Sequence, residues 1–180
     1  MISESETPAR STLNPFTAAD VAAILRTQGW LRHETQAVET WLREAVALLG
    51  PRAADLDALA GLLRLVFEYD APAVLAERAS QEVILRAGAR AALRALATEI
   101  LSGGPVDSNR LKEIVGVLKT GSPYRSWEIF LPLRVAVAGR TGDGALDRVI
   151  LLLDRAAETE GLAPVKSVRA RILEFCAALD

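Results

Sequence analysis

The chain has 180 residues, 51% of them apolar, and its 21 lysines and arginines against 23 acids leave a formal charge of −2. That length supports one domain or two small subdomains with a real core, and that charge excludes a globally basic surface, so any nucleic-acid contact must be a local patch. Cys176 and His33 are the only residues of their kind, which excludes an intrachain disulfide and an ordinary zinc site.

The opening "MISESETPARST" carries acids and no apolar block, so residues 1–12 are expected to be a solvated tail rather than a signal peptide. With Met1 in place, it is the expected start of a complete product. No apolar run reaches the roughly 20 residues that cross a bilayer, and the cytoplasm is the expected compartment.

Thr17 and Asp20 have the spacing of a capping box, and Val21, Ile24 and Leu25 behind them share one helical face that ends at Gly29. The next helix carries a stripe of Val38, Trp41, Leu42, Ala45 and Leu49 and stops at Gly50-Pro51. A third, with Asp55 or Asp57 at its start, buries Leu59, Leu62, Leu63 and Val66. Pro72 is expected to open a short fourth helix. Ser80 is expected to cap a long fifth, running unbroken to Leu101. The "SGGP" stretch at 102–105 is the best internal boundary, and Asp107 or Ser108 caps a sixth helix that Gly121 ends. The segment 132–139 reads as a buried helix of two turns, opened by Pro132 and closed by Gly139. Asp143 or Gly144 starts the next helix, with Leu146, Val149, Ile150 and Leu153 inward. A last helix is expected from about Pro164 to 179. Val115–Leu118 and Leu133–Val137 have strand-like composition, but their flanking caps favour helix.

Several residues stand out chemically. Arg134 lies near the positive end of its short helix, so it needs an internal carboxylate such as Glu128, or an external anion or base edge. On the long fifth helix Arg86, Arg90 and Arg94 recur every four residues, a row that is either a solvated face or a phosphate-contacting ridge. Lys166, Arg169 and Arg171 pose the same choice, while Arg110, Lys112 and Lys119 are scattered. Trp30, Trp41 and Trp127 have the rings to stack on bases. Trp41 belongs to an apolar stripe, whereas Trp127 sits beside Tyr124 and Arg125 in an expected loop. "GRTGDG" lacks the features of a phosphate loop or a dinucleotide fingerprint and reads as a turn. No serine, cysteine or acid pair has a histidine placed for nucleophilic chemistry, so no catalytic residue, metal or cofactor is expected.

The stretch "IFLPLRVAVAG" followed by a leucine-rich helix resembles a segment near the end of bacterial glutamyl-tRNA synthetases. Phe130, Pro132, Leu133, Arg134, Val135, Ala136 and Gly139 match that segment in order, and "DLDALAGLLRLVFEYD" and "LKEIVGVLKTGS" are collinear with its upstream helices. The similarity covers roughly residues 15–155 and implies an all-α fold of two packed helical subdomains, 13–104 and 105–180. It also implies a free-standing relative of the anticodon-binding region, without the catalytic domain, whose ATP-binding signatures do not occur here. On that reading Arg134, Arg140 and the stretch Arg125 to Trp127 face tRNA or another structured RNA, with Arg86, Arg90 and Arg94 as backbone contacts. The family's lysine-rich link is replaced by "GSPYRSWEI" and its Gly-Pro-Glu-Leu by Gly144-Ala145-Leu146-Asp147. Those departures leave open a second reading, a helical protein–protein interaction module that no longer binds RNA.

Overall fold

In a computed structural model, described for residues 14–121 and 125–179, ten α-helices account for the regular structure. They are α1 (Ala18–Thr27), α2 (Gln36–Leu49), α3 (Leu56–Phe67), α4 (Ala71–Ala76), α5 (Arg78–Ile84), α6 (Ala89–Ser102), α7 (Ser108–Gly121), α8 (Ser126–Leu133), α9 (Gly144–Glu158) and α10 (Val168–Leu179). Among the described residues no helix is long and apolar enough to cross a membrane, and no strand forms beyond two isolated bridges. The expected tail at 1–12, and Tyr124, lie outside the described residues.

The caps explain most boundaries. Thr17 and Asp20 close a reciprocal box at α1, and the side chains of Thr35, Asp55, Asp70 and Asp143 accept backbone N–H bonds at the starts of α2, α3, α4 and α9. Asp107 does the same for α7, accepting from Asn109 and Arg110 at 2.9 and 2.8 Å. The inward stripes read from the sequence are buried, Val38, Trp41, Leu42, Ala45 and Leu49 on α2 and Leu59, Leu63 and Val66 on α3, except that Leu62 is only half-buried against the core. The indole of Trp41 and that of Trp30 both pack on Phe67, the second stacked at 4.8 Å between ring centroids, so neither is available to a base.

α9 is the hub. It packs on α2, α3, α10 and the turn that follows α8, and its residues 149–154 are all buried. A helix apolar nearly all round belongs inside a bundle. One polar residue in that run, Asp154, accepts the backbone N–H groups of Val106 and Val168 at 2.6 and 2.8 Å and so fixes the entries to α7 and α10. Apolar residues from both sides of the 102–105 turn belong to one continuous core.

Three expectations need correction. The fifth helix is not continuous to Leu101: it ends at Ile84, and Gly88, at φ +83°, starts α6 afresh. A left-handed residue cannot sit inside an α-helix, and only glycine adopts it without strain. Arg86 therefore lies in the turn, off the helix that carries Arg90 and Arg94, and Ser80 is buried inside α5 rather than capping it. Pro132 does not open a helix either. It lies near the end of α8, which continues as a π-turn, Arg134–Ala138, closed by a bond from the Gly139 N–H to the Arg134 carbonyl at 3.1 Å. A proline ring crowds the carbonyl four residues back and removes a donor, and the wider turn absorbs that conflict. The burial of Leu133, Val135, Val137 and Ala138 and the left-handed cap at Gly139, φ +81°, are as read. Finally, α10 begins at Val168, four residues past Pro164, with the Ser167 hydroxyl accepting from the Ala170 N–H.

Candidate nucleic-acid interface

Helix α7 places Leu111, Lys112, Val115, Gly116 and Lys119 on one face, and α9 places Gly144, Asp147, Arg148 and Leu151 on the face opposite. Both sets follow the three-and-four spacing of a helical stripe. Between them runs an open groove of about 450 Å³, floored by Leu111, Val115, Leu151 and the ring of Phe130 from α8. Four cations line it: Lys112, Lys119, Arg148, and Arg52 from the 3-10 turn after α2. Among the described residues none of the four has a carboxylate within 4.0 Å. The one acid in the lining, Asp147, is already engaged.

Its partner is Arg134. The guanidinium donates from Nε and Nη2 to the two Asp147 oxygens at 2.7 and 2.8 Å and from Nη1 to the Gly142 carbonyl at 2.9 Å. It also lies 5.4 Å from the Phe130 ring centroid. Those hydrogen bonds, ahead of the cost of burial, hold its proton still more firmly than an ordinary arginine does. With 15% of its side chain exposed, Arg134 braces the π-turn against the first turn of α9. The carboxylate is not Glu128, which accepts from the Arg125 N–H at 2.6 Å as half of the α8 cap. Nor is Arg134 at the positive end of a helix, since α8 begins eight residues earlier.

The other predicted residues divide. Arg140 is exposed within the GRTGDG turn, with no ion pair among the described residues. Arg125 and Trp127 belong to the start of α8 rather than a loop, and Trp127 keeps 48% of its surface exposed. Arg86 meets it there, its guanidinium carbon 5.8 Å from the indole centroid. Arg90 and Arg94 are exposed on α6. Lys166, Arg169 and Arg171 are engaged within the fold: Lys166 donates to the Tyr69 carbonyl and to Glu174, and Arg169 to the Leu101 carbonyl. Arg171 is fully buried. No cluster of three metal-ligating side chains occurs among the described residues.

The α7–α9 groove is the feature the sequence reading passed over. Lys112 and Lys119 are seven apart, two helical turns, and that spacing was the available signal; Arg52 and Arg148 join them only through the tertiary fold. Chemically, the groove offers an apolar floor for flat rings and a rim of ammonium and guanidinium groups for phosphate oxygens.

No curated protein and no solved structure matches the chain. The model of one family, the anticodon binding domain, matches residues 13–159, from just before α1 through the whole of α9. That span contains both walls of the groove, the Arg134 brace and the Arg86–Trp127 contact, and with it the all-α architecture is accounted for: the chain belongs to the anticodon-binding domain family.

Proposed function

We propose that the protein binds tRNA or another structured RNA without catalysing a reaction on it, as a free-standing member of its family, with the α7–α9 groove as the principal contact. One observation supports this most: four cations without an ion-pair partner among the described residues face one groove on a chain whose overall charge is −2. Unpaired cations held within a single groove raise the local concentration of a polyanion whatever the global charge is. Lys112, Lys119, Arg148 and Arg52 take phosphate oxygens, and the Phe130 floor takes a base. Arg134 acts through the brace, by holding α9 against α8, rather than by reading a base. The cytoplasm, where tRNA is used, is the expected setting. The alternative, a protein-interaction module, draws its support from the way Asp147 engages Arg134, the arginine of the motif that resembles the synthetase segment.

Anisotropy titration with total tRNA at low and moderate salt tests the reading. A salt-sensitive complex that the Lys112→Ala/Lys119→Ala double variant weakens supports it. No binding at low salt by the unmodified protein would overturn it in favour of the interaction module.

A further inference from the structure

Helix α8 separates two surfaces. Phe130 faces the groove, while Trp127, Leu131 and Pro132 face α5 and α6 across a shallow crevice that Val83, Arg86 and Ala89 complete. We infer that this crevice is a second RNA contact, a stacking site for one unpaired base between the Trp127 indole and the Arg86 guanidinium. The inference rests on the reading that the ligand is RNA, and it adds a place and a type of contact which that reading does not contain.

Three observations carry it. Trp127 is a large ring left half exposed, while the other two tryptophans are 8% and 1% exposed and belong to the core. The second plane is exposed and already lies beside the first. The Arg86 guanidinium carbon lies 5.8 Å from the indole centroid, so the side chain must move outward to admit a base between them. Arg86 sits in the exposed turn between Ile84 and Ala89, so its side chain can move without disturbing a packed helix. The surroundings of the crevice are mainly basic, with Glu128 the one acid in its lining. Arg86, Arg90, Arg94 and Arg125 have no ion-pair partner among the described residues, Glu82 is engaged by Arg78, and Glu128 accepts the Arg125 N–H. A lone apolar patch would suit a protein; a ring under a guanidinium, among unpaired arginines, suits an unpaired nucleotide.

The test uses the full chain and two probes, a short single-stranded oligouridylate followed by tryptophan fluorescence, and total tRNA followed by anisotropy. Because Trp30 and Trp41 are buried, saturable quenching by the oligonucleotide reports Trp127. Trp127→Ala is expected to weaken both complexes about 5- to 150-fold, the range for loss of one stacked base, while Trp127→Phe retains most of the affinity. Arg86→Gln, which removes no buried atom, is expected to weaken both as well. Circular dichroism and the thermal midpoint check that each variant is folded. If tRNA binds and depends on Lys112 and Lys119 but is indifferent to Trp127→Ala and Arg86→Gln, the groove reading stands and the stacking site is overturned. If tRNA fails to bind while the oligonucleotide still quenches Trp127, the stacking site stands and the groove reading falls. Absence of both signals overturns both, and a Trp127 that matters only to a protein partner makes the crevice a docking face and overturns the stacking site.

Discussion

Arg171 is the residue whose role is furthest from what its type suggests. Among the described residues it has no ion-pair partner; it is fully buried and donates to four backbone carbonyls: Lys166 at 3.1 Å, Leu65 at 2.8 Å, Val66 at 2.5 Å and Val137 at 3.0 Å. Leu65 and Val66 are at the C-terminal end of α3, where carbonyls lack intrahelical partners and carry partial negative charge. Burial pulls its pKa down to about 10, which leaves it charged at neutral pH. Arg171→Met keeps much of the volume but strands four acceptors, and it is expected to cost about 3–5 kcal/mol in urea unfolding. Tyr69 stacks on that guanidinium at 4.7 Å and donates its hydroxyl to the Ala136 carbonyl. Burial pushes its phenol well above the ordinary range. Near pH 10 the unfolded chain releases this proton while the folded chain keeps it, so the contribution of Tyr69 to stability falls as pH rises past about 10. Tyr69→Phe lacks that titration, and its unfolding free energy is expected to decline less steeply above pH 10 than that of the unmodified protein. The sequence alone showed that Arg134 needs compensation, but not that Asp147 supplies it. The partner is thirteen residues away and is brought near only by a π-turn that proline chemistry permits but does not announce.

Elements were legible wherever local signals agreed. The α2 and α3 stripes, the Asp107 cap and the turn at 139–144 all follow from spacing and capping residues. The boundaries missed are those where one glycine or proline had two uses. Gly88 was compatible with a helix interior until its left-handed backbone was seen, and Pro132 suited a helix start as well as a strained helix end. Gly116 gives the contrary case, a glycine whose freedom the fold does not use. It lies inside α7 with a helical backbone, and a Cβ added there meets nothing within 4 Å because it would point into open space. Gly116→Ala is therefore expected to raise stability by about 0.5–1 kcal/mol, read from the denaturation midpoint, with RNA affinity little changed. Gly116→Glu fits the same space with a similar helix preference but sets a carboxylate among the four groove cations. It is expected to remain folded and to bind tRNA about tenfold or more weakly. A Gly116→Glu protein that binds as well as the unmodified one would separate the groove from RNA altogether.

At the scale of the molecule, the helical class was readable because periodicity and caps are local, whereas the groove was not, because its cations come from three separate elements. Overall charge misleads here in a way that a measurement can expose. A net charge of −2 predicts weak, non-specific repulsion of RNA, while a local rim of four unpaired cations predicts a definite number of released counterions. For single strands each neutralised phosphate contributes about −0.7 to the slope of log affinity against log salt, and for duplex about −0.9. If all four groove cations engage phosphate, the slope lies near −3 to −3.5, steeper if Arg86, Arg90 and Arg94 also take part. Lys112→Ala and Lys119→Ala should each reduce its magnitude by somewhat under one, and the double variant by nearly twice that. Arg134→Lys should leave the slope unchanged, because its charge is matched by Asp147 in the folded protein and reaches no phosphate; its effect belongs to stability, through loss of the two-pronged bond. A slope that responds to Arg134 and not to the lysines would mean that the ligand opens the Arg134–Asp147 pair and that the binding surface lies on the other side of Phe130.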